Sequence, residues 1–571
     1  MAQVQAQSEA VGTIKILIAD RIAQEGIELL RTQLPEAQID ERPGLKPEQL
    51  KAIIGEYTAL IVRSETQVTS DVLAAASNLK IVGRAGVGVD NIDTAAATRQ
   101  GIIVVNSPTG NIMAAAEHTI AMLMALARHI PAAAASMKSG KWEKSRFLGV
   151  EVRNKVLGVI GLGKVGMAVA RRAQGLEMQI IAYDPFVSLE QAHKANVSMM
   201  SLDDVLRQAD FVTLHTSLTS GPNGTRGLLG ERELRLMKPG ARLINCARGG
   251  LIDEEALLQA LDDNHLAGAA LDVFSQEPIR DNALLQRLVA HEHVVGTPHL
   301  GASTEEAQVG VATDVADQIV SVIRGGFPRA AVNAPMFLPE TLETLRPFMN
   351  LVEQMGRLYT QLHPGHLNKI ELSFSGEIAS YDLRPLQAAL IKGLLESISN
   401  AHVNMVNASL LAKERGLEIV EQRSTTPAEF ANQVTLRALN TQGQETLLTG
   451  QPGSAEEQVA TLSGTVVQDE PRIVRVGRYW TEFVPEGNIL FLRNIDQPGM
   501  IGRVGTILGQ AGVNIQQMDV GPGTPRSRSH GPRRPTESAL MVITVDDPIP
   551  AWAIEEIGRA DDIFGIKVVN L

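Results

Sequence analysis

A chain of 571 residues, 44% hydrophobic and 20% charged, exceeds what one core supports and should divide into about three or four domains. Its formal net charge of −12 argues against a nucleic-acid or anionic-membrane surface as the main partner, so any bound anion is held by a few local arginines. The single cysteine, Cys246, excludes an intrachain disulfide and a thiolate metal cage, and no metal is expected.

Met1–Gly12 has no basic residue and no apolar run. It reads as a loose tail, neither a secretory signal nor an Arg-rich transit peptide, and the expected compartment is the cytoplasm. Next come short β-branched runs at Ile14–Ala19, Ala59–Val62, Lys80–Val82 and Ile102–Val105, with a helix over Ile22–Leu34. This alternation predicts a parallel sheet. Ligands of such a sheet sit beyond its carboxyl ends, where Arg63-Ser64, Arg84-Ala85-Gly86 and Asn106-Ser107 fall. Each could be a solvated loop; two arginines and an asparagine on one edge point to an anion site. The apolar run Ile112–Ile130 is interrupted by Glu117, His118 and Arg128 and predicts a buried amphipathic helix, not a membrane span.

A second α/β unit starts at Lys155. The buried strand Val156–Ile160 runs into Gly161-Leu162-Gly163-Lys164-Val165-Gly166 and a helix over Met167–Gln174. A lone GxGxxG is weak, but here a second strand, Gln179–Tyr183, ends on Asp184, 18 residues past Gly166. Together they form a dinucleotide fingerprint: backbone amides at a helix start for the pyrophosphate, and an acid for the ribose. Asp184 would repel a 2′-phosphate, so NAD is expected over NADP. Strands at Phe211–Leu214, Arg242–Asn245 and Ala267–Leu271 end in His215-Thr216, Cys246-Ala247-Arg248-Gly249-Gly250 and Asp272. The chain then reaches His299-Leu300-Gly301-Ala302-Ser303, with a helix expected from Ser303 as capping box. Ala331–Pro335 reads as a linker. Mixed helices and longer polar strands follow to about Gly487, then a βαββαβ order: Asn488–Asn494, Met500–Gln510, Val513–Asp519, Ser538–Val545, Ala551–Ala560 and Phe564–Val569. Its Gly-, Pro- and Arg-rich connection Gly521–Thr536 is expected to be a mobile loop.

Oxidising a secondary alcohol with NAD needs a base for the proton and a cation for the substrate's carboxylate. His299 suits the first role, Arg248 the second, and Glu277 could orient His299 and stabilise its protonated form. Alone, each could be an ordinary loop residue. His215 is as well explained by packing or solvation at a strand end.

Gly83–Asp90, Gly161–Gly166, Asn245–Asp253, Ala270–Pro278 and Thr297–Ser303, in this order, resemble the D-isomer-specific 2-hydroxyacid dehydrogenase family over roughly residues 14–330. The resemblance implies a Rossmann-type NAD domain (109–295) inserted in a flavodoxin-like α/β substrate domain (13–108 and 296–330). It makes Arg248, Glu277 and His299 catalytic. It places the cofactor on Val87, Gly161, Gly163, Lys164, Val165, Gly166, Asp184, Thr216, Cys246, Ala247, Arg248, Asp272, His299, Gly301 and Ala302. Val62–Thr66, the arm Met137–Phe147 and the C-terminal extension resemble the long members that oxidise 3-phosphoglycerate. For these the resemblance implies an α+β intervening domain (331–487) and a ferredoxin-like ACT domain (488–571), the latter through Asp496–Gly499 and Gly512–Ile515. It further implies a phosphate site at Arg63, Ser64, Arg84 and Asn111, completed by Lys141 and Lys144 of the arm from a neighbouring subunit. L-serine is the implied effector, bound between ACT domains paired side by side, at Asp496 and Asn514, in a homodimer or homotetramer. Val87 replaces a hydroxyl residue of some relatives, and the basic Gly521–Thr536 loop departs from a usual ACT domain. A glyoxylate or hydroxypyruvate reductase, a non-catalytic NAD-sensing corepressor and an amino-acid sensor remain alternatives.

Overall fold

The computed structural model describes residues 13–571 except 220, 222–223, 336–338, 364–366, 400–401, 440–460, 523–537 and 561. The Gly521–Thr536 loop thus lies outside the described residues from 523 onward.

Four sheets organise these residues. The first holds β1 (Lys15–Ile18), β2 (Gln38–Glu41), β3 (Ala59–Val62), β4 (Ile81–Arg84) and β5 (Ile103–Asn106), all parallel in the order β2-β1-β3-β4-β5. That order is flavodoxin-like. Its central strands are fully apolar runs such as ALIV, because helices cover both faces. Strand β2, Gln-Ile-Asp-Glu, was not anticipated: it is a polar edge strand with no apolar alternation. The helix Glu305–Ile323 returns to this sheet and buries Val311, Val315 and Ile319 against Ile16, Ile61 and Ile81. Its N-cap is Thr304, whose side chain accepts from Ala307 N at 3.1 Å, and not the expected Ser303. The supposed linker stays with the sheet as well, since Val332 N donates to Val104 O and the Asn333 amide to Ile102 O.

The second sheet holds β6 (Val156–Ile160), β7 (Gln179–Tyr183), β8 (Ser198–Met199), β9 (Phe211–Leu214), β10 (Ala241–Asn245), β11 (Leu266–Leu271) and β12 (Val294–Gly296). All are parallel, in the order β12-β11-β10-β9-β6-β7-β8. The order reverses between β6 and β9, the switch point at which a dinucleotide fold binds its ligand. The expected helix over Ile112–Ile130 is two helices, Ile112–Ala127 and Ile130–Lys138, broken where His129 takes a left-handed φ of 53°. The first buries Met122, Leu123 and Leu126; the second buries nothing. Among the described residues no single helix is long and apolar enough to cross a membrane.

The third sheet holds β13 (Lys369–Gly376), β14 (Glu418–Ser424), β15 (Asn432–Leu439), β16 (Thr461–Val467), β17 (Glu470–Val476) and β18 (Tyr479–Phe483), in the order β14-β13-β15-β16-β17-β18. Helices Pro339–Leu362 and Arg384–Glu396 cover it, crossing so closely that a Cβ at Gly393 would lie 2.0 Å from Glu353 O. The last sheet holds β19 (Asn488–Ile495), β20 (Ile515–Pro522), β21 (Ser538–Val545) and β22 (Ile563–Asn570), antiparallel in the ferredoxin-like order β20-β21-β19-β22.

Side chains of β19 and β21 alternate between two cores, as the strand period of two demands. Leu490, Leu492, Met541 and Ile543 face the sheet's own helices. Ile489, Phe491, Leu540 and Val542 instead join the core built on helix Pro339–Leu362. The boundary near residue 487 therefore divides the sequence pattern but not the hydrophobic core. A chain shortened at Gly487 should lose this covering and expose the helix face, whereas one shortened at Pro335 removes both layers together. Scanning calorimetry and limited proteolysis should show the 1–335 chain folded and the 1–487 chain the less stable of the two. Equal stability would mean that the shared core contributes little.

Candidate active site

The carboxyl ends of the first two sheets face each other across a cleft of about 800 Å³. Arg63, Ser64, Arg84, Val87 and Asn111 line it together with Arg248, Glu277, His299 and Ala302. Residues as much as 239 positions apart in the chain are thus brought to one site.

On one wall, the turn after β10 carries Arg248. Asn245 shapes that turn, its amide donating to Arg248 O at 2.9 Å and its carbonyl oxygen accepting from Ala247 N at 3.0 Å. The next residue must be glycine, since a Cβ at Gly249 would lie 1.8 Å from Phe274 O. After β11 the chain reaches Glu277, whose Oε1 accepts from Phe274 N at 3.0 Å while Oε2 meets His299 Nδ1 at 2.7 Å. A carboxylate on Nδ1 holds the ring and favours the tautomer in which Nε2 accepts a proton. His299 has a φ of 55°, in the left-handed region that non-glycine residues rarely enter.

Asp272 holds that backbone in place. Its carboxylate, 0% exposed, accepts from Thr297 Oγ1, Leu300 N and Gly301 N at 2.6–2.9 Å and pairs with His118 Nε2 at 3.2 Å. Burial alone would raise its pKa; the bonds from His118, Thr297 and Leu300 outweigh burial and hold it below the usual carboxylate range. Asp272, expected at the cofactor, thus also braces the His299 loop.

The opposite wall is basic. Asp20, 1% exposed, accepts from Arg63 N at 2.6 Å and from Thr66 N and Oγ1, so a buried carboxylate shapes the Arg63-Ser64 turn. Burial first, then the neighbouring Arg248 and Arg63 guanidinium groups, lower the Arg84 pKa to about 10. Arg84 Nε and Asn111 Oδ1 are buried without a hydrogen-bond partner among the described residues. Unpaired polar atoms in a cleft of this kind call for a polar ligand. Asn106 donates one N–H of its amide to Val87 O and so braces the glycine-rich loop.

The dinucleotide fingerprint has the expected geometry. Gly161, at φ 93°, would place a Cβ 2.6 Å from His215 O, and one at Gly166 would lie 2.0 Å from Gly161 O; around Gly163 nothing lies within 4 Å. The outer two glycines thus make the turn and the close helix packing, and the middle one leaves its side open to a ligand. The helix runs Lys164–Gly175, three residues earlier than expected, so Lys164 and Val165 form its first turn. Thr216 Oγ1 is buried and unpartnered among the described residues. Asp184 already accepts from Leu162 N and Phe186 N, both at 2.8 Å, bracing the glycine loop while remaining half-buried at the strand end. Burial pushes the Cys246 thiol up to about 12, so beside Ala247 it acts as a neutral wall. Burial also lowers the His215 pKa to about 4; its Nε2 meets Thr213 Oγ1 at 3.0 Å. These features fit a bound dinucleotide.

Two expected groupings do not form within one copy. Lys141 and Lys144 are exposed on the arm and are not among the residues lining the cleft. Asp496 follows β19 whereas Asn514 precedes β20. Since Val545 pairs with both Asn488 and Ile515, the two residues lie at opposite ends of β19, about 25 Å apart at ~3.4 Å per residue. The Asn514 amide also bonds Asp546 at 2.6 Å. Sequence reasoning missed Asp20, Asp90, His118 and Thr297. The strand-end rule that singled out Arg63 also marks Asp20, and His118 stood out as a polar residue within an apolar helix.

Comparison with known proteins agrees with this geometry. Residues 120–301 match the NAD-binding domain of D-isomer specific 2-hydroxyacid dehydrogenases, 344–477 the D-3-phosphoglycerate dehydrogenase intervening domain, and 488–561 the ACT domain. D-3-phosphoglycerate dehydrogenase from Synechocystis sp. is 44% identical over 98% of this chain and 95% of its own length. The protein of that name from Methanocaldococcus jannaschii is 40% identical over 98% and 100%. The chain belongs to the D-3-phosphoglycerate dehydrogenase family. Among solved structures, D-lactate dehydrogenase from Aquifex aeolicus complexed with NAD and lactic acid covers 56% of this chain and 99% of its own, at 25% identity and a TM-score of 0.50. A glyoxylate reductase from Paecilomyes thermophila covers 58% and 99%, at 27% identity and a TM-score of 0.51. The family's cofactor is NAD, and the glycine geometry makes its binding testable. Gly163→Ala should fold with an unchanged thermal midpoint yet weaken NADH binding in a fluorescence titration, while Gly166→Ala should fail to fold stably. Unaltered NADH affinity in Gly163→Ala would place the pyrophosphate elsewhere.

Proposed function

We propose that this chain oxidises the C2 hydroxyl of 3-phospho-D-glycerate to 3-phosphohydroxypyruvate with NAD, the first step of L-serine biosynthesis. The observation that carries the reading is the His299–Glu277 pair at 2.7 Å in the same cleft as Arg63, Arg84 and Arg248. A substrate with a carboxylate at one end and a phosphate at the other suits such a cleft. In this reading 13–108 with 296–330 form the substrate-binding domain, 109–295 the NAD-binding domain, 331–487 the intervening domain and 488–571 the ACT domain.

Gly161, Gly163, Lys164, Val165 and Gly166 would hold the pyrophosphate, Asp184 the ribose, and Val87, Thr216, Cys246, Ala247, Asp272, Gly301 and Ala302 would lie around the rest of the cofactor. When bound, NAD supplies the hydride acceptor. Arg248 grips the carboxylate with its planar fork and polarises the forming carbonyl. Arg63 and Arg84, with Ser64 and Asn111, take the phosphate. His299 Nε2 receives the hydroxyl proton, Glu277 stabilises the resulting imidazolium, and the ring, 42% exposed, can pass the proton to water. Trp142 of the arm and Leu148 just after it are 81% and 87% exposed in one copy, which supports a homodimer or homotetramer and a supply of Lys141 and Lys144 to a neighbour. The single free cysteine suits a reducing compartment, and we assign the chain to the cytoplasm.

Spectrophotometric NADH formation with a panel of 2-hydroxy acids tests the reading. His299→Asn should lower kcat by on the order of 10²–10⁴ with NAD affinity retained. Arg63→Gln should penalise 3-phosphoglycerate far more than glycerate; equal losses would favour an unphosphorylated substrate, as in a glyoxylate or hydroxypyruvate reductase. L-serine is the proposed effector. A ligand touching both Asp496 and Asn514 must lie between two copies, because one copy keeps them apart. Serine should inhibit the full chain, and a chain ending at Pro335 should retain activity but not respond. Undiminished activity at high serine, with no heat of binding, would leave the ACT domain an assembly module.

A further inference from the structure

Arg248 is not held by its own domain alone. The loop after β4, in the first α/β unit, brings Asp90 across the cleft so that Arg248 Nε donates to Asp90 Oδ2 at 3.2 Å. On its other side, Arg248 Nη1 donates to Ala247 O at 2.7 Å. Between them lies Gly88, where a Cβ would meet Arg248 Nη2 at 2.3 Å and Asp90 Oδ2 at 2.8 Å. The guanidinium therefore rests on bare backbone, with two of its nitrogens engaged before any ligand arrives. The second N–H of Nη1 and both of Nη2 remain, enough for a two-pronged grip on a carboxylate.

Two neighbouring acids are committed elsewhere: Asp20, behind the basic wall, accepts from the Arg63-Ser64 turn, and Glu277 accepts from Phe274 N and meets His299. Among the described residues, Asp90 is the acid hydrogen-bonded to Arg248. It also opposes the mutual repulsion of the three arginines: Arg248 and Arg63 lower the Arg84 pKa, whereas Asp90 and Asp20 raise it. The Asp90 side chain is 62% exposed, and an exposed ion pair contributes little to stability. What such a pair can do is place a group. A misplacement of about 1 Å can lower a rate ~100-fold.

We propose that Asp90 is a positioning residue that orients the Arg248 guanidinium across the domain cleft for the substrate's carboxylate. The proposal rests on the dehydrogenase reading above. If Asp90 acts through Arg248, its removal matters only while the guanidinium is there. Asp90→Ala should lower kcat/KM for 3-phosphoglycerate about 10- to 100-fold, with the KM for NAD and the thermal midpoint unchanged. Asp90→Asn keeps an acceptor for Nε and should recover most of that loss. In an Arg248→Gln background, Asp90→Ala should cause no further loss. Gly88→Ala, which displaces the side-chain ends of Arg248 and Asp90 together, should lower activity on the substrate side without lowering the thermal midpoint.

The full-length chain assayed for NADH formation decides the matter. An equal factor lost on Asp90→Ala in both backgrounds, or a loss that follows the thermal midpoint or the KM for NAD, would overturn the positioning role. Absence of turnover in the unaltered chain would instead overturn the dehydrogenase reading, so the two failures are distinguishable.

Discussion

The buried carboxylate of Asp272 is the constraint on which the site depends. A charge at 0% exposure persists only when donors surround it, and here the donors are the loop that carries His299. Thr297, Leu300 and Gly301 bond to the carboxylate while His299 N bonds to the Asp272 carbonyl. The unfavourable left-handed backbone of His299 is thereby offset, and its ring is aimed at Glu277. His118 ties the same carboxylate to the helix Ile112–Ala127, so one buried charge links base, loop and helix.

Around that anchor the chemistry follows from topology. Parallel strands end on one edge, and the two parallel sheets meet edge to edge. One edge supplies Arg63 and Arg84, the other Arg248, the acid–base pair and the glycine turn. Neither unit carries the whole constellation. The Asp90–Arg248 contact is the clearest expression of that division, because it joins a strand end of one unit to a strand end of the other.

The C-terminal half is built differently. Its two sheets share a core through Phe491 and Val542, and Asn404 donates to Gly101 O at 2.7 Å, just before β5 of the first sheet. That sheet also carries Arg84 at the end of its neighbouring strand. The C-terminal half is therefore in direct contact with the body that holds the basic wall of the cleft.

The sequence by itself determined the dinucleotide unit, the order βαββαβ at the C-terminus, and the candidates Arg248, Glu277 and His299. These are local patterns: a glycine spacing forced by close backbone approach, an alternation forced by the strand period, a polar residue at the end of an apolar run. Strand β2 escaped because an edge strand needs no apolar face; the break at His129 was legible in Pro131, which opens the second helix and cannot sit inside one. Only the tertiary structure decided that the Asn106 amide bonds Val87, that Asp496 and Asn514 stand at opposite ends of one strand, and that Asp20, Asp90 and His118 belong to the site. Each of these is a contact between residues far apart in the chain or a consequence of strand direction. Spacing along a sequence encodes the direction of one element, but hydrogen-bond partners across a cleft depend on how whole sheets come to rest against each other.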